Sequence, residues 1–217
     1  MGTKLKNAMS GLKKAFLVTV VLLILCGLIY PLVLTGISQV IFPKQANGSV
    51  ITVDGKQVGS ELVGQDFTDE RFMKCRPSSV NYNTYTQEDV DNGDHTMGAP
   101  SSGSNNYAPS NPELAERVQA DIDAFLEENP DVKKEDIPTD LLTASGSGLD
   151  PHISPESAEI QIPRLVETTK LSEDELKQIV KDNTNGKFLG IFGEETVNVL
   201  GVNLDIAEKL GMIGSEE

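Results

Sequence analysis

The chain has 217 residues, 33 of them acidic and 18 basic, with 38% hydrophobic and 5% aromatic side chains. That length and composition admit one domain or two small ones and argue against a long disordered chain. The formal charge of -15 repels phosphate, so a nucleic-acid reader, which would need a strong basic patch to compensate, is disfavoured.

The charge is unevenly placed. Residues 1–14 hold Lys4, Lys6, Lys13 and Lys14 and no acid, which leaves 14 basic against 33 acidic residues, a net of -19, in everything that follows. From Ala15 to Pro43 there is no Asp, Glu, Lys, Arg or His over 29 residues. As one helix this run would extend ~43 Å, more than the roughly 30 Å hydrocarbon core of a bilayer. The boundaries that follow are a basic N-terminus at 1–14, a transmembrane helix at 15–40 and a soluble domain at 44–217.

Pro31 lacks a backbone donor and clashes with the preceding turn, which predicts a kink near Tyr30-Pro31 or an end near Gly36. Gly27, Pro31 and Gly36 also suit close helix packing and bending in the bilayer. Four lysines before the span against Lys44 alone after it predict a single-pass cell-membrane protein, its N-terminus cytoplasmic and its acidic C-terminal domain outside. A cleaved signal peptide shares the Lys-rich start. This run is too long for one, has no small-x-small site, and places bulky Leu25 before Cys26. Cys26 in the span and Cys75 in the domain cannot pair, so no disulfide framework is expected.

Beyond the span, Ser49–Val53, Asp54-Gly55 and Lys56–Gly59 form a hairpin pattern around a two-residue turn that tolerates positive φ. Residues 78–111 contain no Leu, Ile or Phe but six Asn and three of the four Tyr. They are expected to lie over the surface as a long loop tied down by aromatic pegs. Asn111 before Pro112 starts a helix whose Leu114, Val118, Ile122 and Phe125 share one face. Ser154 before Pro155 starts a second, running to about Thr169 and bent or split at Pro163. Ser172 with Glu175 makes a capping box, and Leu171 with Leu176 its staple, for a third. Val197-Asn198-Val199 with Val202 and Leu204 is expected to be a late strand. The fold class is α+β: a single N-terminal transmembrane helix followed by one mixed domain.

No phosphate-binding G-x-x-x-x-G-K-[ST], H-E-x-x-H, paired C-x-x-C or Asp-Lys-Thr-Gly sequence occurs. With only His95 and His152, no metal site is expected. The densest cluster of reactive side chains is Thr143 to His152. A hydrolase would use Ser145 or Ser147, but Gly-x-Ser-x-Gly is absent, and Asp150 and His152 stand too close in sequence to orient one another easily. An anion cradle would use the loop amides and the helix starting at Ser154. The plainest reading is a tight loop capping that helix, with Gly146 and Gly148 in conformations a side chain would strain. No catalytic residue is assigned.

Several runs together resemble one family. They include Tyr30-Pro31-Leu32, Phe42–Ser49, Gly59–Gln65, Arg76-Pro77-Ser78, Pro109–Pro112, Leu142–Pro155, Gln161-Ile162-Pro163-Arg164 and Val197–Leu200. On these residues the chain is similar to the C subunit of the Kdp-type potassium-transporting P-type ATPase. The stretch from Asn81 to Met97 looks like an insertion relative to that pattern. The resemblance implies a non-catalytic subunit of an ATP-driven potassium importer. Its implied partners are a channel-like potassium-translocating subunit and an ATP-hydrolysing P-type subunit. It also implies a catalytic chaperone that raises the hydrolytic subunit's affinity for ATP, met through the complex with no tightly bound cofactor. Ser145, Gly146, Ser147, Gly148, Asp150 and His152 would then form a nucleotide-binding or docking loop. An outside domain cannot reach cytoplasmic ATP, whereas its acidic surface could cover the potassium entrance. Without the resemblance, the residues support a membrane-anchored extracellular binding domain.

Overall fold

The uncharged run folds as one helix with a single irregular turn. The computed structural model describes residues 2–84 and 101–214, which divide into two compact units, Met1–Ser49 and Val50–Glu217. In the first unit α1 (Gly2–Ile24) passes through a π-turn at Leu25–Ile29 into α2 (Tyr30–Ile41). The stretch Lys6–Ile41 is long and apolar enough to cross a membrane.

The proline is accommodated, and the helix does not end near Gly36. Tyr30 N–H bonds to Leu25 O, five residues back, so the register changes just before Pro31, which sits in the first turn of α2 where no donor is needed. Phe42 breaks the helix with φ -133° and ψ 57°, and one turn, α3 (Pro43–Ala46), follows. Asn47 and Gln39 exchange two side-chain amide bonds of 3.1 Å that tie this turn back to the helix. The faces at Gly27 and Gly36 are open, with only Leu23 Cδ2, at 3.9 Å, near the Cβ position of Gly27.

In the second unit β1 (Val50–Val53) and β2 (Lys56–Ser60) pair antiparallel around Asp54-Gly55. Both turn residues take positive φ, 50° and 71°, the geometry that closes a two-residue hairpin with the twist of its strands. Ile51 and Val53 pack on Leu200. Of the long loop, the Tyr82 hydroxyl donates to Arg76 O at 2.8 Å, so Tyr82 is a peg. Tyr85 and His95 lie outside the described residues, as does most of the inserted stretch.

The helix starts fall where side chains can take orphan amides. Asn111 accepts from Glu113 N and opens α4 (Pro112–Glu128), which buries Ile122 and Phe125. Ser154 accepts from Ser157 N and opens α5 (Pro155–Glu159). Pro163 splits the second helix, standing in the first turn of α6 (Ile162–Thr169). Ser172 and Glu175 form the reciprocal box at α7 (Glu173–Asp182), with Ser172 N donating to the Glu175 carboxylate at 3.0 Å.

The late strand is shorter than expected. A three-stranded antiparallel sheet has the order β3 (His152–Ile153), β5 (Thr196–Asn198), β4 (Thr184–Asn185). From Val199 to Lys209 the chain is helical, α8, capped by the Asn198 side chain accepting from Gly201 N. Both neighbours of β5 are only two residues long, so pairing ends at Asn198. Val199, Val202, Asn203 and Ile206 then recur at helical spacing and are buried. The three apolar ones join Met73, Leu165, Leu176 and Val197 in the main core.

Candidate functional site

The loop from Ser145 to Ser154 is a hydrogen-bond hub. Ser147 O accepts from Gly103 N at 2.7 Å and from Ser102 Oγ at 2.9 Å, Gly148 O accepts from Ser78 Oγ at 2.6 Å, and Leu149 O accepts from Gly64 N at 2.8 Å. Pro151 O accepts from Val199 N at 3.0 Å. Segments far apart in sequence therefore meet on successive carbonyls of one loop.

Three of its amides are occupied from within. Gly148 N donates to Ser145 Oγ at 2.8 Å, Leu149 N to Ser147 Oγ at 3.1 Å, and His152 N to Asp150 Oδ1 at 3.0 Å. Asp140 takes the start of α5, its carboxylate accepting from Ser154 N at 2.7 Å and from Ser157 Oγ at 2.6 Å. An anion cradle needs free N–H groups at the helix start, and the chain's own carboxylate stands there. Gly148 has φ +67°, as expected; Gly146 does not, and open space surrounds the position of its Cβ.

Asp150 and His152 are neighbours after all. The extended backbone at Pro151 brings His152 Nδ1 to 3.6 Å from Asp150 Oδ1, while Asp150 Oδ2 accepts from Arg76 Nη1 at 2.9 Å. Ser145 and Ser147 direct their hydroxyls at the loop's own amides and at one another. A triad would need a hydroxyl donating to the imidazole. Asp150, His152 and Arg76 border a cavity of about 620 Å³, whose walls also include Glu156, Lys187, Glu194 and Glu195. Among the described residues no group of three His, Cys, Asp or Glu could hold a metal ion.

Arg76 reaches Asp150 because the segment before it is fastened by side chains instead of a sheet. Asn203 holds both backbone groups of Met73, at 2.7 and 2.9 Å, and Gln161 both of Lys74, at 2.8 and 3.2 Å. Arg164 donates to the carbonyls of Glu70 and Phe72. Sequence reasoning gave these three residues no role. The available signal was two amides and an arginine on otherwise apolar helix faces, where buried polar groups must find partners.

His152 beside it, together with its backbone amide and Arg76, holds the Asp150 carboxyl below the usual carboxylate range, against the opposing effect of burial. A depressed folded pKa means that the unfolded chain takes up the proton first as pH falls. The stabilisation is therefore present above the ordinary pKa of about 4 and is lost as pH falls through the folded value. We expect Asp150→Asn to be less stable than wild type at pH 6 and to lose less of its stability between pH 5 and pH 3. Parallel acid limbs in thermal unfolding would remove Asp150 from this role.

An α+β domain that follows a helix long and apolar enough to cross a membrane, and whose most distinctive loop organises the domain itself, is what the fold and site define. The chain matches the family described as "KdpC: K+-transporting ATPase, c chain" over residues 12–208. It is 69% identical over 206 residues to the potassium-transporting ATPase KdpC subunit of Clostridium kluyveri, covering 95% of this chain and 97% of that one. Identity to the KdpC subunit of Clostridioides difficile is 61% over 208 residues, covering 94% of this chain and 100% of that protein. With the counterpart in Caldanaerobacter subterraneus it is 47% over 199 residues, 92% of this chain and 95% of the relative. The chain belongs to the KdpC family, as its sequence resemblance implied.

Proposed function

We propose that the chain is a non-catalytic subunit of an ATP-driven potassium import complex, with ATP hydrolysis in a P-type partner and ion passage in a channel-like partner. The helix Lys6–Ile41 holds it in the cell membrane, and the acidic domain lies outside, where it supports assembly and covers the potassium entrance. The observation that carries this reading is the occupied loop: its serines, the amides of Gly148, Leu149, His152 and Ser154, and Asp150 are bonded within the fold. What remains is a shaped surface without a nucleophile–base pair. The competing role, a catalytic chaperone sharing ATP, fits the site less well. The cavity walls carry five carboxylates, Asp140, Asp150, Glu156, Glu194 and Glu195, against Arg76 and Lys187, an unfavourable field for a triphosphate.

Three measurements test this. Tagged protein purified from native membranes should bring down large polytopic chains in fixed proportion. Isothermal titration of ATP into the full chain should give no saturable heat, and saturable binding that Ser145→Ala abolishes would establish the nucleotide role instead. Orientation is best read at an introduced thiol, because burial pushes the Cys75 thiol up to about 12 and leaves little reactive thiolate. Glu135→Cys, at an exposed position, should react with a membrane-impermeant maleimide in intact cells. Reaction only after permeabilisation would put the domain inside.

A further inference from the structure

The residues between β4 and β5 form an ordered hairpin whose tip is apolar and uncovered. Phe188 N donates to Phe192 O at 2.8 Å and Phe192 N to Phe188 O at 3.0 Å. The turn between them holds Leu189 at φ 54° and Gly190 at φ 73°. Phe188, Leu189, Ile191 and Phe192 are 71%, 74%, 76% and 62% exposed. Single exposed apolar residues are ordinary, but four large ones clustered on one fixed turn form the kind of patch that marks an interaction site. A leucine held in the left-handed region is strained, and the hairpin bonds keep it there with its side chain outward.

The surroundings indicate what covers the tip. The hairpin springs from the same sheet that carries His152, since β5 pairs with both β3 and β4. It therefore borders the cavity, and Lys187, Glu194 and Glu195 at its base belong to the cavity wall together with Glu156. All four are exposed, and among the described residues none of the three glutamates makes an ion pair. A loop that dips into lipid is normally flanked by Lys or Arg facing anionic headgroups. This one is followed by two glutamates in a strongly acidic domain, so charge disfavours the bilayer and favours a basic protein surface.

We propose that the hairpin tip and the acidic cavity beside it form one docking surface. Its occupant is an extramembrane loop of a polytopic chain of the same complex, with an apolar cleft that receives Phe188 and Phe192 and a Lys or Arg facing Glu156, Glu194 and Glu195. The proposal rests on the reading of the chain as a complex subunit and specifies where that subunit docks. Aromatic pegs buried at the centre carry most of the affinity, while the carboxylates set partner choice and salt dependence.

The test uses the full chain in native membranes. A Phe188→Ser, Phe192→Ser double variant should recover on the order of tenfold less of the polytopic chains. Its own unfolding midpoint should stay unchanged, because both side chains are exposed. Glu194→Gln with Glu195→Gln should lower recovery by less and make the remainder less sensitive to salt. A photo-crosslinking amino acid in place of Leu189 should give an adduct on a peptide of a polytopic chain that contains Lys or Arg. Undiminished recovery in the double variant, or adducts only with lipid or with a second copy of this chain, would overturn the docking surface while leaving the subunit reading intact. If wild type itself brings down no polytopic chain, the subunit reading fails, and the proposal with it.

Discussion

Gly148→Val is expected to lower the stability of the chain by about 3–5 kcal/mol and to deplete it from assembled complexes, whereas Gly146→Ala is expected to be close to neutral. Two effects act at Gly148. Its φ of +67° is a region that a β-branched residue occupies only under strain, and an added Cβ would stand 2.7 Å from Gly103 O and 2.8 Å from Val80 Cγ2. Strain of that kind and overpacking each cost roughly 1–3 kcal/mol. The clash also falls on the joint between the 78–84 and 101–111 segments and the loop, where Gly103 N and Ser78 Oγ make their bonds. Gly146, two residues away, has neither a positive φ nor a neighbour within 4 Å. Thermal unfolding of the two variants, followed by recovery of the complex, checks the contrast. Equal effects would mean that the loop's conformation is not set at Gly148.

Elements that depend on contacts within three or four residues were legible in the sequence. Asn111, Ser154 and Ser172 each bond an amide two or three positions on, and Asp54-Gly55 closes its turn locally, so residue type alone marks them. The start of α8 was misjudged for the opposite reason. Val197-Asn198-Val199 alternates like a strand, and the shift to helical periodicity shows only once β5 is known to have two-residue neighbours. The clamps of Gln161 and Asn203 span 87 and 130 residues, and nothing local foretells such a partner. In the candidate site, the loop and its glycine were identifiable from composition. That Asp140 occupies the helix start at Ser154, and that the loop's carbonyls receive the segments around Ser78 and Gly103, depends on partners far along the chain, which no spacing rule encodes. The exposed hairpin escaped notice because Phe188 to Phe192 has the composition of a core strand. Only the fold shows that it faces outward.

Arg164→Met is expected to be as damaging as Gly148→Val, at ~3–5 kcal/mol, although it lies in no loop and does not border the cavity at Asp150. Arg164 is 7% exposed. It donates to Asn129 Oδ1 at 3.1 Å, to Gln161 Oε1 at 3.1 Å, to Phe72 O at 3.2 Å and to Glu70 O. Burial lowers its pKa from the ordinary arginine value, against the pull of Glu128 and Glu70, yet arginine stays charged at any working pH. Replacing both members of a buried ion pair by apolar groups is often harmless, because no polar group is left behind. That route is closed here. Two of the acceptors are backbone carbonyls that no substitution removes, so methionine leaves Phe72 O desolvated without its donor and Glu70 O with Thr168 Oγ1 alone, at 3.2 Å. Lysine should recover only part of the loss, since its single ammonium cannot reproduce a planar fork reaching four acceptors. For a chain of this size, the loss corresponds to a fall of about 6–20 °C in the unfolding midpoint. The effect should extend to assembly, because the segment that Arg164 fastens is the one that delivers Arg76 to Asp150 at 2.9 Å. An Arg164→Met midpoint within about 2 °C of wild type in the purified full chain would show that Gln161 and Asn203 alone hold that segment in place.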